Sequence, residues 1–330
     1  MIGIRRRVWW FAALCVTAAA LGAGYAALAL RSPGAGGSAA NRLASSPAPP
    51  SLLVRSTAPD DSFRRLVALP LSTPSGPGYV AMLECERVHF AAGRGVCLAV
   101  DVSGATPGYL AHLFDERFER LHTLPLTGLP SRVRVSPDGR RAAITVFERG
   151  HSYAEDGFST RTTVVDLTRG RLLEDLEQYT VTRQGSRFSA VDFNFWGLTF
   201  QSDGNRFYAT LATAGQHYLV EGNIDARTAA VVASGIECPS LSPDNTRIAY
   251  KSRVDAGVWQ LRVRDLRTGN DVPLTRETRS VDDQVEWLDD DRVLYHITGA
   301  RGADIWSIRV DGTEPPALLR EYAYSPSVVR

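Results

Sequence analysis

The hydrophobic residues of this chain follow two different patterns. An uncharged apolar run covers Val8 to Leu30, whereas from about residue 50 onward the apolar residues occur in short alternating runs separated by Gly, Pro and Asp. The first run has 23 residues, which as a helix span about 34 Å, enough for a hydrocarbon core of about 30 Å. Short alternating runs are typical of β-strands joined by tight turns. The sequence therefore predicts a transmembrane helix followed by an all-β domain.

Basic residues indicate the orientation of the apolar run. Three arginines at positions 5–7 precede it and Arg31 alone follows it, so the positive-inside rule places residues 1–7 in the cytoplasm and the rest outside. The alternative is a cleaved signal peptide, because Ala27-Leu28-Ala29 fits the small-x-small pattern of a cleavage site. We expect either a single-pass membrane protein with an extracytoplasmic domain or, if cleavage occurs near Ala29, a secreted one.

The chain after the apolar run divides into a linker and a domain. Residues 31–50 consist mainly of Pro, Gly, Ser and Ala and hold too little apolar bulk to fold, so they predict a flexible linker. Residues 51–330 are expected to form the folded domain. The whole chain has 37 basic and 36 acidic residues. This balance disfavours a nucleic-acid partner.

A short turn motif recurs through the domain. Ser136-Pro-Asp-Gly-Arg returns as Gln201-Ser-Asp-Gly-Asn, as Ser242-Pro-Asp-Asn-Thr and as Asp289-Asp-Asp-Arg. In such a turn Ser or Asp opens the bend, Pro presets φ, and Gly or Asn ends it. An arginine after each turn marks the period, with separations of 47, 65, 41 and 45 residues between Arg94, Arg141, Arg206, Arg247 and Arg292. One copy is longer, and we attribute its length to an insertion from Glu148 to Arg161.

The repeat predicts a propeller. An alternating strand follows each turn, and a further strand ending in Asp comes about 20 to 25 residues later, which implies four strands in about 40 to 47 residues. Five such units are visible, and a sixth can be built from both ends of the domain. Its inner strand would be Tyr324 to Val328, and Leu52 to Thr57 and Arg64 to Leu71 would be outer strands. The predicted fold is an all-β six-bladed β-propeller with four-stranded blades.

The Ser-Pro-Asp-Gly-Arg turn at Ser136 and its copies resemble the WD40-like repeat of TolB-type propellers. That repeat also occurs in the propeller domains of prolyl-oligopeptidase-type peptidases, and the resemblance covers most of residues 50–330. The segments around Gly150-His-Ser-Tyr-Ala154, Asn194-Phe-Trp-Gly197 and Ser280 to Trp287 further resemble TolB-like exported proteins of actinobacteria. Two departures from TolB matter: the domain that precedes its propeller is absent, and a predicted membrane anchor takes that place. A role in Pal binding or colicin uptake is therefore not implied.

The search for catalytic motifs finds none that fits its required context. Gly150-His-Ser152-Tyr-Ala154 has the spacing of a nucleophile elbow, but an elbow needs a strand before it and a helix after it in an α/β domain. The six histidines are scattered, and Asp289-Asp-Asp291 replaces a hairpin turn and lacks the ligand spacing of an EF-hand. We therefore expect no catalytic residue, no metal ion and no cofactor.

Propeller geometry indicates which face carries function. The short turns lie at one end of the blades, and the long connections gather at the other, where loops on a rigid scaffold commonly bind partners. The alternative for Trp196 and its neighbour Phe195 is that they simply begin a buried inner strand. The candidate binding residues at this face are His151, Tyr153, Phe158, Arg161, Asn194, Trp196, Asp282 and Asp283. The candidate channel-lining carboxylates, on predicted inner strands, are Glu84, Glu237 and Glu286.

Three cysteines lie outside the apolar run. Cys85 and Cys238 occupy equivalent positions in blades on opposite sides of the ring, too far apart for a disulfide. Cys85 and Cys97 are expected on adjacent strands but not clearly in register. Buried free thiols are therefore favoured over a disulfide.

These observations predict a membrane-tethered extracytoplasmic propeller that binds an envelope protein or a small extracellular ligand and catalyses nothing. It is expected to be monomeric, with residues 8–30 in the membrane. Two alternatives stay open. One is a propeller enzyme, such as a glycosidase or lactonase, whose mark would be carboxylates or a metal converging on the channel. The other is a purely structural envelope protein, because fold does not determine function.

Overall fold

The computed structural model describes residues 42–150, 153, 157–255 and 257–330. The predicted transmembrane run and His151 lie outside the described residues. No helix within these ranges is long and apolar enough to cross a membrane. The propeller lies within residues 42–58 and 62–330, and among its described residues the regular structure besides one 3₁₀ turn, Leu176–Gln178, is β-strand.

In the part of the chain that the structure describes, twenty-six strands follow in chain order. They are β1 (Ser51–Ser56), β2 (Arg65–Pro70), β3 (Tyr79–Glu84), β4 (Arg87–Ala91), β5 (Arg94–Asp101), β6 (Gly108–Asp115), β7 (Arg120–Leu126), β8 (Leu129–Val135), β9 (Arg141–Arg149), β10 (Ser159–Asp166), β11 (Arg171–Asp175), β12 (Thr180–Arg183), β13 (Ser186–Phe188), β14 (Asn194–Phe200), β15 (Arg206–Thr213), β16 (Gln216–Asn223), β17 (Thr228–Ser234), β18 (Glu237–Leu241), β19 (Arg247–Asp255), β20 (Val258–Asp265), β21 (Asp271–Pro273), β22 (Glu286–Trp287), β23 (Arg292–Gly299), β24 (Gly302–Arg309), β25 (Ala317–Arg320) and β26 (Ala323–Val329).

The strands form six sheets arranged in a ring. From the innermost strand outward the sheets are β26-β1-β2-β3, β4-β5-β6-β7, β8-β9-β10-β11, β14-β15-β16-β17-β12-β13, β18-β19-β20-β21 and β22-β23-β24-β25. In the fourth sheet the hairpin β12–β13 extends the four strands of the blade itself. The innermost strands contact one another in the order β26, β4, β8, β14, β18, β22 and back to β26. This closed arrangement around a central channel confirms the predicted six-bladed propeller with four-stranded blades.

The closing blade combines both ends of the domain. β26 pairs antiparallel with β1, Leu52 lying opposite Val328, so the ring has no unpaired inner strand. The prediction placed Glu84 on an inner strand, but its strand, β3, is the outermost strand of this blade. Glu84 at its end is therefore exposed on the outer edge and does not line the channel. Its alternating pattern fits either position, which is why the sequence did not distinguish them.

The repeated turn is held by its own side chains. Ser136 Oγ donates to Asp138 Oδ1 at 2.5 Å and accepts the Arg141 N–H at 3.0 Å. Gly139 has φ of +68°, a conformation that a side chain disfavours. Arg141 then reaches the next blade, where Nη1 lies 2.9 Å from Asn205 Oδ1. The motif thus shapes one blade and fastens it to its neighbour.

The long repeat owes its length mainly to a different segment from the one predicted. β9 ends at Arg149 and β10 begins at Ser159, so the loop between them is shorter than the predicted insertion. The remaining extra residues form the hairpin β12–β13, in which β12 pairs parallel with β17 of the next blade. The spacing between turns gives only the total length of the repeat, so it cannot distinguish a longer β9–β10 loop from the added hairpin β12–β13.

Cys85 and Cys97 form a disulfide, with their Cα atoms 5.3 Å apart. The expectation of free thiols is therefore wrong for this pair. The two residues become neighbours because β4 and β5 pair with Val88 opposite Cys97, which brings Cys85, two residues before β4, within bonding distance of Cys97. Cys238 is free and buried, as predicted.

Candidate functional site

The inner strands give the channel two different ends. Each inner strand except β26 runs into the short turn that joins it to the second strand of its blade, as β8 does at Ser136. We call this end the turn face. The opposite end, where the chain enters each blade, is the link face. The candidate binding residues were predicted for the link face, and those among the described residues are located below.

Asp283 occupies the channel at the link face and has partners from three other strands. Its carboxylate oxygens lie 2.9 Å from Arg87 Nη1, 2.8 Å from Arg132 Nε and 2.8 Å from His296 Nδ1. Burial alone would raise the pKa of this carboxyl, but Arg132 and Arg87 hold it well below its usual range. Burial lowers the pKa of His296, more than Asp283 raises it. Asp283 is thus an ionised crosslink between blades and not a proton donor.

Lys251, the only lysine in the sequence, lies beside this crosslink. Its side chain is fully buried and Nζ donates to Asp282. The ammonium lies 4.6 Å from the ring centres of both Tyr153 and Trp259, an arrangement that stabilises a cation. The structure therefore brings the predicted residues Asp282 and Tyr153 together, but around an internal cation.

The predicted aromatic residues pack against each other beneath the link face. The ring centres of Tyr153 and Phe158 lie 5.2 Å and 5.3 Å from that of Trp196, and the Tyr153 hydroxyl lies 2.6 Å from Ser131 Oγ. Tyr153 is 5% exposed and Trp196 is 0% exposed. These two side chains are therefore interior residues and not exposed recognition anchors.

Arg161 and Asn194 do not join this cluster. Arg161 pairs with Glu148 at 2.5 Å and with Asp175 at 2.7 Å, on the outer strands of its blade. Asn194 Oδ1 accepts the backbone N–H of Thr160 at 2.9 Å. Both residues support local structure at the link face.

A second polar layer crosses the channel nearer the turn face. Glu286 accepts a hydrogen bond from Arg134, lies 3.5 Å from His89 Nε2, and accepts the Val328 N–H at 3.1 Å. Burial alone would raise the pKa of Glu286, but Arg134 and His89 lower it to about 2. Burial and Arg134 lower the pKa of His89, so His89 is neutral near pH 7. A void of only about 30 Å³ separates this layer from the Asp283 layer.

Glu237, the remaining predicted channel carboxylate, begins β18. It is buried and lies 3.0 Å from His217 Nδ1. Of the three predicted carboxylates, Glu237 and Glu286 lie on inner strands and each has a nitrogen partner. The described residues include no group of three or more His, Cys, Asp or Glu side chains that could hold a metal ion.

Gln284 holds the backbone between these layers. Its Nε2 lies 3.0 Å from the carbonyl oxygen of Gly197, 3.2 Å from that of Leu198 and 2.6 Å from that of Pro239. These carbonyls turn toward the channel because β14 and β18 are irregular there, with φ of +62° at Gly197 and +50° at Cys238. Gln284 was not among the residues predicted from sequence, although Gln284 directly follows the two predicted aspartates.

The turn face contains the open part of the channel. A cavity of about 370 Å³ lies there, and all six inner strands or the turns that follow them contribute to its lining. Its floor is the layer of Arg134, Glu286 and His89, and Ser202 stands at its rim. Such a volume is within the usual range for small-molecule sites. This site was not predicted from sequence, because long connections favoured the link face, whereas it is the short turns that leave a channel mouth uncovered.

No family model matches the sequence, and no curated protein matches it. Solved structures do. TolB from Acinetobacter baumannii is similar over 85% of this chain and 66% of that chain, with 15% identity and a TM-score of 0.55. A putative TolB from Agrobacterium tumefaciens is similar over 82% and 87%, with 12% identity and a TM-score of 0.51. The chain thus spans just under two thirds of the first TolB.

A puromycin hydrolase S511A mutant complexed with PGG is also similar, with 15% identity, a TM-score of 0.50, and coverage of 83% of this chain and 44% of that one. At these identities the likenesses concern the fold alone. They support a TolB-like six-bladed propeller. The resemblance to actinobacterial exported proteins stays a prediction.

Proposed function

We propose that this protein is a non-catalytic binding module whose ligand enters the channel at the turn face. The observation that carries the proposal is the difference in filling along the channel. Two layers of buried ion pairs fill the channel between the link face and the floor of the cavity, whereas a cavity of about 370 Å³ remains at the turn face. A built cavity also favours binding over a purely structural role.

The state of the carboxylates argues against a propeller hydrolase. Carboxyl-based catalysis needs one group with a raised pKa to donate a proton and a second that is free to attack or to activate water. Asp283 and Glu286 both have lowered pKa values and are held by arginines. Burial raises the pKa of Glu177 to about 8, but its oxygens accept the N–H groups of Thr162 and Phe195. Glu177 is not part of the cavity lining.

The test is a binding screen on the full-length chain. The protein is incubated with a mixture of small extracellular metabolites, separated from unbound material, and the retained compounds are identified by mass spectrometry. We expect a compound that is recovered chemically unchanged and is no longer retained by Ser202→Trp, which fills the mouth from an exposed position. A converted compound would instead support the enzyme alternative, above all if Glu286→Gln stopped conversion.

If Ser202→Trp still retains the compound, the binding site does not lie at the turn face. The link face, the surface predicted from sequence, would then be the next candidate. An envelope protein is the other predicted partner, and Ser202→Trp tests its pull-down in the same way. In either case loss of binding in this variant, with an unchanged melting temperature, supports the turn face.

Tethering to the membrane is part of the proposal. The apolar run from Val8 to Leu30 and the arginines before it support an extracytoplasmic domain on a single-pass anchor. A reporter phosphatase fused after residue 50 should be active and membrane-bound. An inactive fusion contradicts export, and active protein found only in the medium favours cleavage near Ala29.

A further inference from the structure

The cavity at the turn face has an uneven chemical lining. Its walls include the buried apolar side chains of Phe90, Phe200 and Leu241. Polar side chains form the floor, lie on the neighbouring inner strands β14 and β18 and on the turns at the rim, and include Arg330 after β26. A ligand that fills this space therefore needs an apolar body and one polar end.

The polar groups of the lining offer donors. Thr199 Oγ1 accepts the Leu241 N–H at 3.1 Å, and Ser240 Oγ accepts from Arg134 Nη2 at 3.4 Å. Because a hydroxyl that accepts still has its own hydrogen to donate, both groups can donate to a ligand. Within the described part of the chain, Arg134 Nε is buried without a hydrogen-bond partner.

The acceptor that faces these donors is already occupied. One carboxylate oxygen of Glu286 accepts a hydrogen bond from Arg134, and the other accepts one from the Val328 N–H. A ligand with a positive or donor-rich end would therefore face the hydrogen-bond donors of the lining, and no free carboxylate would be there to accept its hydrogen bonds. An acceptor-rich end would complete the hydrogen bonding of Thr199, Ser240 and Arg134.

We infer that the turn-face cavity binds an amphipathic organic acid, its carboxylate toward Thr199, Ser240 and Arg134 and its hydrocarbon body against Phe90 and Phe200. This inference rests on the proposed function, since it names the ligand class for the same cavity. The carboxylate supplies acceptors to the donors of the floor, and the apolar walls remove the hydrocarbon from water. No covalent step is involved.

The experiment compares three probes by calorimetry on the full-length protein: hexanoate, its neutral isostere hexanamide, and acetate. Hexanoate should bind most tightly, because hexanamide lacks the charge and acetate lacks the apolar body. Thr199→Val removes one donor at constant shape and should weaken hexanoate binding about tenfold. Binding of hexanamide should change less.

Thr210→Val is the matched control. Thr210 on β15 also accepts a backbone N–H of β18, that of Cys238 at 2.9 Å, but it does not line the cavity. Thr210→Val should therefore leave hexanoate binding unchanged, although like Thr199→Val it removes a hydroxyl that accepts a backbone N–H of β18. Equal weakening by Thr210→Val and Thr199→Val would overturn the inference, because the effect would then be structural.

Two results separate this inference from the proposed function. If hexanamide binds as tightly as hexanoate, or no carboxylate probe binds, the ligand class is wrong, and the metabolite screen with Ser202→Trp still decides whether the cavity binds. If hexanoate binds equally well to Ser202→Trp, the cavity is not its site and both proposals fail for this ligand.

Discussion

The two ends of the channel are built from the same six inner strands and differ in the side chains these strands carry. At the link face long charged side chains meet across the axis, with Asp283 joining Arg87 and Arg132. At the turn face the lining includes the small residues Thr199 and Ser240. A symmetrical repeat thus produces one filled and one open end, because side-chain length on a few strands decides which part of the channel remains empty.

The backbone contributes to the same difference. Toward the link face β14 and β18 approach closely, and a Cβ atom at Gly197 would lie 2.6 Å from the Cα atom of Cys238. Only glycine fits this contact and its positive φ. The carbonyls displaced by the irregularity need donors inside the protein, and Gln284 supplies them. The filled end therefore depends on specific polar partners that the open end does not need.

The largest effect is expected at Asp283. Asp283→Ala leaves Arg87 and Arg132 buried without their counter-charge, which should lower the free energy of unfolding by about 3–5 kcal/mol. Urea denaturation measures it. Ser202→Ala at the open end is the control and should change the same quantity by less than about 0.5 kcal/mol. Equal stability of the two variants would show that the ion cluster does not stabilise the filled end.

Glu286, which separates the two ends, should make stability depend on acid pH. Its folded pKa of about 2 lies below the ordinary value of 4.5, so its contribution is complete above pH 4.5 and is lost as the pH falls toward 2. The difference corresponds to about 3 kcal/mol. Urea midpoints at pH 6, 4 and 3 should fall more steeply for the native chain than for Glu286→Gln. Parallel curves would contradict the lowered pKa.

Gln284 offers a test of the backbone part of the comparison. Gln284→Met keeps a similar volume but leaves the carbonyls of Gly197, Leu198 and Pro239 without this donor, which should cost about 1–3 kcal/mol. Gln216→Met, at an exposed position on β16, is the matched control and should have little effect on the thermal midpoint. If the two variants have the same thermal midpoint, the three carbonyls have other hydrogen-bond donors, and the filled end depends less on Gln284.

The ring could be predicted from sequence because its information is local and repeated. The turn at Ser136 carries its own hydrogen bonds, so its sequence predicts its structure wherever it occurs. The position of β3 could not be predicted in this way, since its alternating residues suit an inner or an outer strand. Only the pairing with β2 decides between the two.

The channel was harder to predict because its contacts join residues far apart in the chain. Asp282, Asp283 and Tyr153 were predicted from sequence, and these residues do lie close together at the link face. That Lys251 and Arg132 fill the space between them could not be predicted, because it depends on which inner strands face each other. The cavity at the turn face depends on six strands at once and has no sequence motif.

The smallest expected effect concerns the turns that ring the open end. Arg141 crosses to the next blade, where it contacts Asn205 and lies 2.6 Å from Asp225, whereas Arg206, at the equivalent position, pairs with Asp203 of its own turn at 2.9 Å. Arg141→Ala should therefore lower the free energy of unfolding by about 0.5–1 kcal/mol, and Arg206→Ala by less. Because salt screens partly exposed ion pairs, the difference should shrink in 1 M NaCl. Equal effects of the two variants would show that the period-marking arginines act only within their own blades.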